Sequence, residues 1–167
     1  MSVGDGLWPV AAGRPEGRPL RSSEKCLGYK NPRAAANHSM PIWIAPADTR
    51  RWLIATATGH LSLEDLVTFI MTHRTGERLR WPLLFDASAT TTDIAPTEVE
   101  QLARAAIRAK EQAGEMRAPV ALIAPADPAS YMLMQRYQTL CDQNGIGITK
   151  VFRSREEAEQ WLIGVAS

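Results

Sequence analysis

Between Asp86 and Asp93 the chain places four hydroxyls, Ser88, Thr90, Thr91 and Thr92. Hydroxyls of this kind can accept a phosphoryl group. Beside a helix N-terminus, where free N–H groups and the dipole favour negative charge, they can also help to hold an anion. The two carboxylates cut both ways, since they would hold a cation beside a phosphate but repel the phosphate without one. The same residues also have a purely local use: Thr92 and Asp93 can cap the next helix while the other hydroxyls satisfy loop backbone. His60 lies just past the end of an earlier strand pattern, at the same expected edge of the sheet.

Other reactive residue types read as structural. Cys141 shares a helical face with Tyr137 and Met134, which suits a small buried hydrophobe better than a nucleophile. Cys26 stands in a quite different context, so the two cysteines form neither a metal-spaced pair nor a disulfide framework. His38 belongs to the N-terminal segment, and His73 to the last turn of a helix, where it favours the negative end of the dipole. The chain contains no G-x-G-x-x-G, no Walker loop, no G-x-S-x-G elbow and no H-E-x-x-H. The sequence therefore predicts no cofactor, no metal and no catalytic set.

The elements that must position these residues follow from periodicity. Ile42–Ala45 and Trp52–Thr58 read as strands joined by Pro46-Ala47-Asp48-Thr49, and so short a link implies an antiparallel hairpin. Ser62 caps a helix with Glu64 and Asp65 in its first turn, and Leu63, Leu66, Val67, Ile70 and Met71 form one apolar stripe. Gly76 is expected to close it. Pro82–Asp86 reads as a buried strand, followed by a polar linker over Ala87–Ala95. Pro96 then opens a helix that buries Val99, Leu102, Ala103, Ala106 and Ile107. Pro119–Ala124 is a fourth strand. Asp127-Pro128 starts a helix running to about Gln143, stopped by Asn144-Gly145. Ile146–Phe152 is a fifth strand, and Ser154…Glu157 opens a last helix packing Ala158, Trp161, Leu162 and Val165. The order ββαβαβαβα predicts an α/β fold: a five-stranded, mostly parallel sheet with an N-terminal antiparallel hairpin and four helices. In such sheets ligands bind beyond the carboxyl ends of the parallel strands.

The domain is expected to run from 41 to 167. Residues 1–40 hold five of the 11 glycines and four of the 11 prolines, without strand or helix periodicity. They read as a mobile tail, a basic arm of net charge +3 that is either native or derived from an expression vector or an early start codon. The whole chain has 167 residues, 45% of them hydrophobic, and a net charge of +1. No apolar run approaches the roughly 20 residues of a membrane span, and the charge gives no reason to expect nucleic acid as partner. A cytoplasmic location is the expectation.

Several segments resemble the SpoIIAA-like proteins, grouped with the STAS (sulfate transporter and anti-sigma-factor antagonist) superfamily of bacterial proteins. Gly59-His60-Leu61-Ser62-Leu63-Glu64-Asp65-Leu66 is similar to the stretch that opens their first helix. Leu84-Phe85-Asp86, Val120-Ala121-Leu122-Ile123, Tyr131 with Gln135-Arg136-Tyr137, and Val151-Phe152-Arg153-Ser154 continue the likeness, which closes with Glu157-Ala158-Glu159-Gln160-Trp161-Leu162. The resemblance covers roughly 42–163 and implies the same fold. Regulatory antagonists of that superfamily carry a D-S-S-G-like segment whose serine a partner kinase phosphorylates. Here Asp93-Ile94-Ala95-Pro96-Thr97 occupies the region, without serine or glycine.

The resemblance implies a non-enzymatic regulatory or binding module acting through residues 86–93, on an unknown protein partner or small ligand. The family's likeness to the CRAL-TRIO lipid-transfer fold implies an alternative, a carrier of a small apolar or lipid-like ligand. Its pocket would then be lined by Met71, Tyr131, Met134 and Tyr137, with His60 nearby. An enzyme of unknown class is the third reading. Trp161 is expected in the core, whereas Trp43 and Trp81 near strand boundaries could anchor a second copy in a homodimer.

Overall fold

The structure is a computed structural model, and it describes residues 41–45, 51–114 and 117–166. The expectations for the tail 1–40, including Cys26 and His38, and for the turn at 46–49 lie outside the described residues.

Strands β1 (Ile42–Ile44), β2 (Leu53–His60), β3 (Leu83–Thr91), β4 (Val120–Ile123) and β5 (Thr149–Phe152) form a sheet in the order β1-β2-β3-β4-β5. β1 pairs antiparallel with β2, and the remaining pairs are parallel. Four α-helices are present among the described residues: α1 (Leu63–His73), α2 (Val99–Ala113), α3 (Pro128–Gln143) and α4 (Arg155–Ala166). Each parallel strand lies beside the one before it, so right-handed crossovers carry α1, α2 and α3 to the same face. There they cover the main core, built on Leu53, Ala55, Leu83, Phe85, Val120, Leu122 and Val151. α4 covers the other face through Ala158 and Leu162, packed on Leu84, Ala121, Ile123 and Phe152.

The α1 start is a reciprocal cap: Ser62 Oγ accepts from the Asp65 N–H at 3.2 Å, while Asp65 Oδ2 accepts from the Ser62 N–H at 3.0 Å. At α3, Asp127 Oδ1 accepts from the Ser130 N–H at 2.8 Å.

Several boundaries differ from the sequence expectation. The linker expected over 87–95 is strand as far as Thr91, because β2 extends to His60 and pairs with it, Gly59 opposite Thr90 and His60 opposite Thr91. Pro96 does not begin α2; residues 96–98 form a turn and the helix starts at Val99, while Glu98 Oε2 accepts from the Ala95 N–H at 2.7 Å. α1 ends at His73, and a short 3-10 helix over Gly76–Arg80, absent from the expected order, leads into β3. β5 starts at Thr149 rather than Ile146, since Ile146 still closes the end of α3 by donating to the Cys141 carbonyl. Trp161 is half-buried against Phe152, Ile107 is half-buried, and Val165 is exposed, so the buried stripe of α4 ends at Leu162. Trp43 is exposed on the edge strand β1, and Trp81 is half-buried.

Candidate functional site

The strand-end segment is divided by a bulge. Thr56 pairs with Asp86 but Thr58 pairs with Ala89, so β3 carries one extra residue opposite Ala57. Before the bulge, Leu83, Phe85 and Ala87 face α1–α3, while Leu84 faces α4. Asp86 alternates with them onto the α4 face, and Ser88 joins it there: its N–H and Oγ both donate to Asp86 Oδ1, at 3.0 and 2.7 Å. Beyond the bulge the alternation is reset, which turns Thr90 inward. Thr90 Oγ1 donates to the Ala87 carbonyl at 2.8 Å. Thr92 Oγ1 donates to the Leu61 carbonyl at 2.8 Å and accepts from the Ile94 N–H at 3.2 Å, tying the end of β3 to the start of α1. Thr91 is exposed. Asp93 pairs with His60, Nε2 to Oδ1 at 3.4 Å, with both side chains mostly exposed. The six polar residues singled out in the sequence are thus distributed over two faces of the sheet.

A cavity of about 100 Å³ lies on the face that Thr90 and Thr92 join, between the sheet and helices α1–α3. Its wall is overwhelmingly apolar and includes Leu61, Phe69, Phe85, Val99, Leu102 and Leu122. One end lies at the carboxyl ends of the strands, where Thr90, Thr92, Ile94, Pro125 and Ser130 surround it. Half-buried Leu66, Leu133 and Met134 also line it, marking its least enclosed wall. The other end lies at the amino ends of the strands, with Leu83, Val120, Tyr137 and Arg117.

Of the five pocket residues expected from the sequence, Met134 and Tyr137 line this cavity. Met71 instead packs against the core beside it. Tyr131 stacks under the Arg153 guanidinium at 3.8 Å, and His60 faces Asp93.

Sequence reasoning passed over Arg117, which precedes β4 and is only 5% exposed. Its Nη1 donates to the Tyr137 hydroxyl at 3.1 Å, and its Nε is buried without a partner. Arg74, just past α1, is fully buried as well: Nη1 donates to the carbonyls of Arg78 and Trp81, at 3.0 and 2.7 Å, while Nε and Nη2 have no partner. Burial, with help from the nearby Arg117 charge, brings the Arg74 pKa down to about 9. Burial likewise pushes the Tyr137 hydroxyl and the Cys141 thiol above their ordinary values, so both are neutral at pH 7. The Arg117 pKa is raised despite its burial, but the attraction responsible belongs to the ionised forms of Tyr137 and Cys141. No signal in the sequence sets Arg117 apart from surface arginines, because its burial depends on α3, the end of α1 and the loop at Gly147 closing around it.

No family model matches the chain, and no curated protein matches it. Among solved structures, it is similar to an uncharacterised protein of the DUF3478 family from Shewanella loihica PV-4, described as having a SpoIIAA-like fold and solved at 2.25 Å resolution. The match has 18% sequence identity and a TM-score of 0.43, and covers 72% of this chain and 91% of that one. The fold described above rests on this chain's own strand pairing.

Proposed function

We propose that the protein is a small-molecule binding module whose ligand occupies the cavity between the sheet and helices α1–α3. The cavity itself supports the reading. Interiors pack nearly as densely as organic crystals, and a void forfeits the dispersion contacts that its lining would otherwise make. About 100 Å³ of apolar-walled space is therefore a cost that an apolar occupant would offset. The volume suits a ring or a short chain, since engineered apolar cavities of roughly 150 Å³ hold benzene. The position also fits, because one end opens the carboxyl side of a parallel sheet, the usual ligand side of this architecture.

Regulatory contact through residues 86–93 draws support only from the exposure of Ser88, Thr91 and Asp93. The hydroxyls of Ser88, Thr90 and Thr92 there already have local partners, so the cavity is the stronger ground.

The test is methyl-labelled NMR during titration with straight-chain alcohols from butanol to decanol. Methyl signals of Leu102, Leu122 and Met134 should shift saturably, while those of exposed Met132 and Ile163 stay still. A Met134→Trp variant, which fills the less enclosed wall, should weaken the response at least tenfold. Lining methyls that do not respond to any member of the series would refute the proposal.

A further inference from the structure

We infer that the ligand of the cavity is a small monocarboxylate, with its apolar body against the helices and its carboxylate at the inner end on Arg117 and Tyr137. The inference rests on the cavity reading above and adds the chemical class of the occupant.

The inner end of the cavity carries an unbalanced charge. A buried cation is normally paired, because only a counter-charge and hydrogen bonds recover the cost of removing it from water. Arg117 and Arg74 are both buried, and among the described residues their hydrogen bonds go to a phenol hydroxyl and to backbone carbonyls. Among the described residues, the ion-paired carboxylates Asp93, Glu100 and Glu159 engage His60, Arg104, Arg136 and Arg155 on the surface. Tyr137 and Cys141, the acidic groups acting on Arg117, are neutral at pH 7. The inner end of an otherwise apolar cavity therefore holds a fixed positive charge with a donor to spare.

Geometry narrows the ligand further. The guanidinium offers planar donors in the arrangement a carboxylate accepts. The Tyr137 hydroxyl accepts from Arg117 while its own proton is shared with the Cys141 sulfur, so it holds the guanidinium in place at the inner end of the cavity. Among the described residues Arg117 is the cation in the lining, and Arg74, buried nearby outside it, adds to the positive potential there. The rest of the wall is apolar, so a carboxylate on a hydrocarbon body matches both parts, whereas a phosphate would leave its remaining oxygens against apolar side chains.

The decisive experiment is calorimetric titration of the full chain with each carboxylate from butanoate to decanoate, beside the matching alcohol, at pH 7. The best carboxylate should bind at least tenfold more tightly than its alcohol. Tyr137→Phe, which removes the hydroxyl that positions Arg117 and keeps the ring, should reduce that preference several-fold with alcohol affinity retained. Arg117→Met should abolish it, and circular dichroism would show whether that variant folds. If it does not fold, the comparison within the wild-type protein and Tyr137→Phe still decides. Equal affinity for carboxylates and alcohols would overturn this inference and leave the cavity reading standing. Absence of binding by either series would overturn both.

Discussion

At the scale of single residues, burial sets the chemistry more strongly than residue type. Cys141 is fully buried, and burial pushes its thiol above the ordinary value of 9.0, so the thiolate that reacts is scarce. In a Cys26→Ser background, thiol labelling at pH 8 should be at least a hundredfold slower for the native protein than for protein in denaturant. Comparable rates in the two would contradict the burial. The same shifts act at alkaline pH. Tyr137 and Cys141 both hold their protons more tightly in the fold than in the open chain, so the unfolded state releases protons first as pH rises. Their contribution is complete well below pH 9 and is lost progressively above it, whereas Arg74, lowered to about 9, adds stability over the same range; the thermal midpoint above pH 9 should therefore fall more steeply in Arg74→Met than in the wild type. His73 acts at the other end. Burial and the Arg78 charge lower its pKa below 6.5, so protonation favours unfolding and stability declines as pH falls through that value. A His73→Gln variant should show a shallower decline between pH 7 and 5.

At the scale of elements, local signals determine starts and stops, whereas pairing decides extent. The Ser62 cap was legible because its partner, Asp65, lies three residues away in the same helix. Ser62→Ala should cost about 1 kcal/mol in denaturant unfolding, with the cavity intact. Gly147 shows a longer-range constraint. Its φ of 129° is unfavourable for other residues, and an added Cβ would come within 2.7 Å of the Arg117 carbonyl oxygen. Gly147→Ala should destabilise the protein by about 1–3 kcal/mol. It should also weaken carboxylate binding more than alcohol binding, because the backbone that must give way carries Arg117. The length of β3 was not legible, since Ala87–Thr91 looks polar and loop-like alone. Only β2, running beside it as far as His60, makes those residues strand, and only the bulge aims Thr90 at the cavity.

At the scale of the whole molecule, ligand binding and folding are linked by mass action. A ligand that binds only the folded state stabilises it by about 2.7 kcal/mol at a hundred times its Kd. The best-binding carboxylate should accordingly raise the unfolding midpoint in denaturant without changing the slope. Arg117→Met, where it folds, should lose that protection and yet need not be less stable unliganded, since removing an uncompensated buried charge offsets the lost packing. A variant that keeps full protection by carboxylates would place the anion elsewhere.

The element order, the antiparallel first strand and the sheet's parallel remainder were determined by the sequence alone. Each follows from short-range patterns: apolar runs of strand length, caps, and links too short or long enough for a crossover. Met134 and Tyr137 were also within reach, because helical spacing puts them on one face with Cys141. The site itself was decided in three dimensions. The hydroxyls of Ser88 and Thr90 are two residues apart yet face opposite sides of the sheet, because a bulge is a property of two strands rather than one. Arg117 reads as one arginine among many until three elements close over it. Burial of a charge is a sum over neighbours distant in sequence, and only the tertiary structure performs that sum.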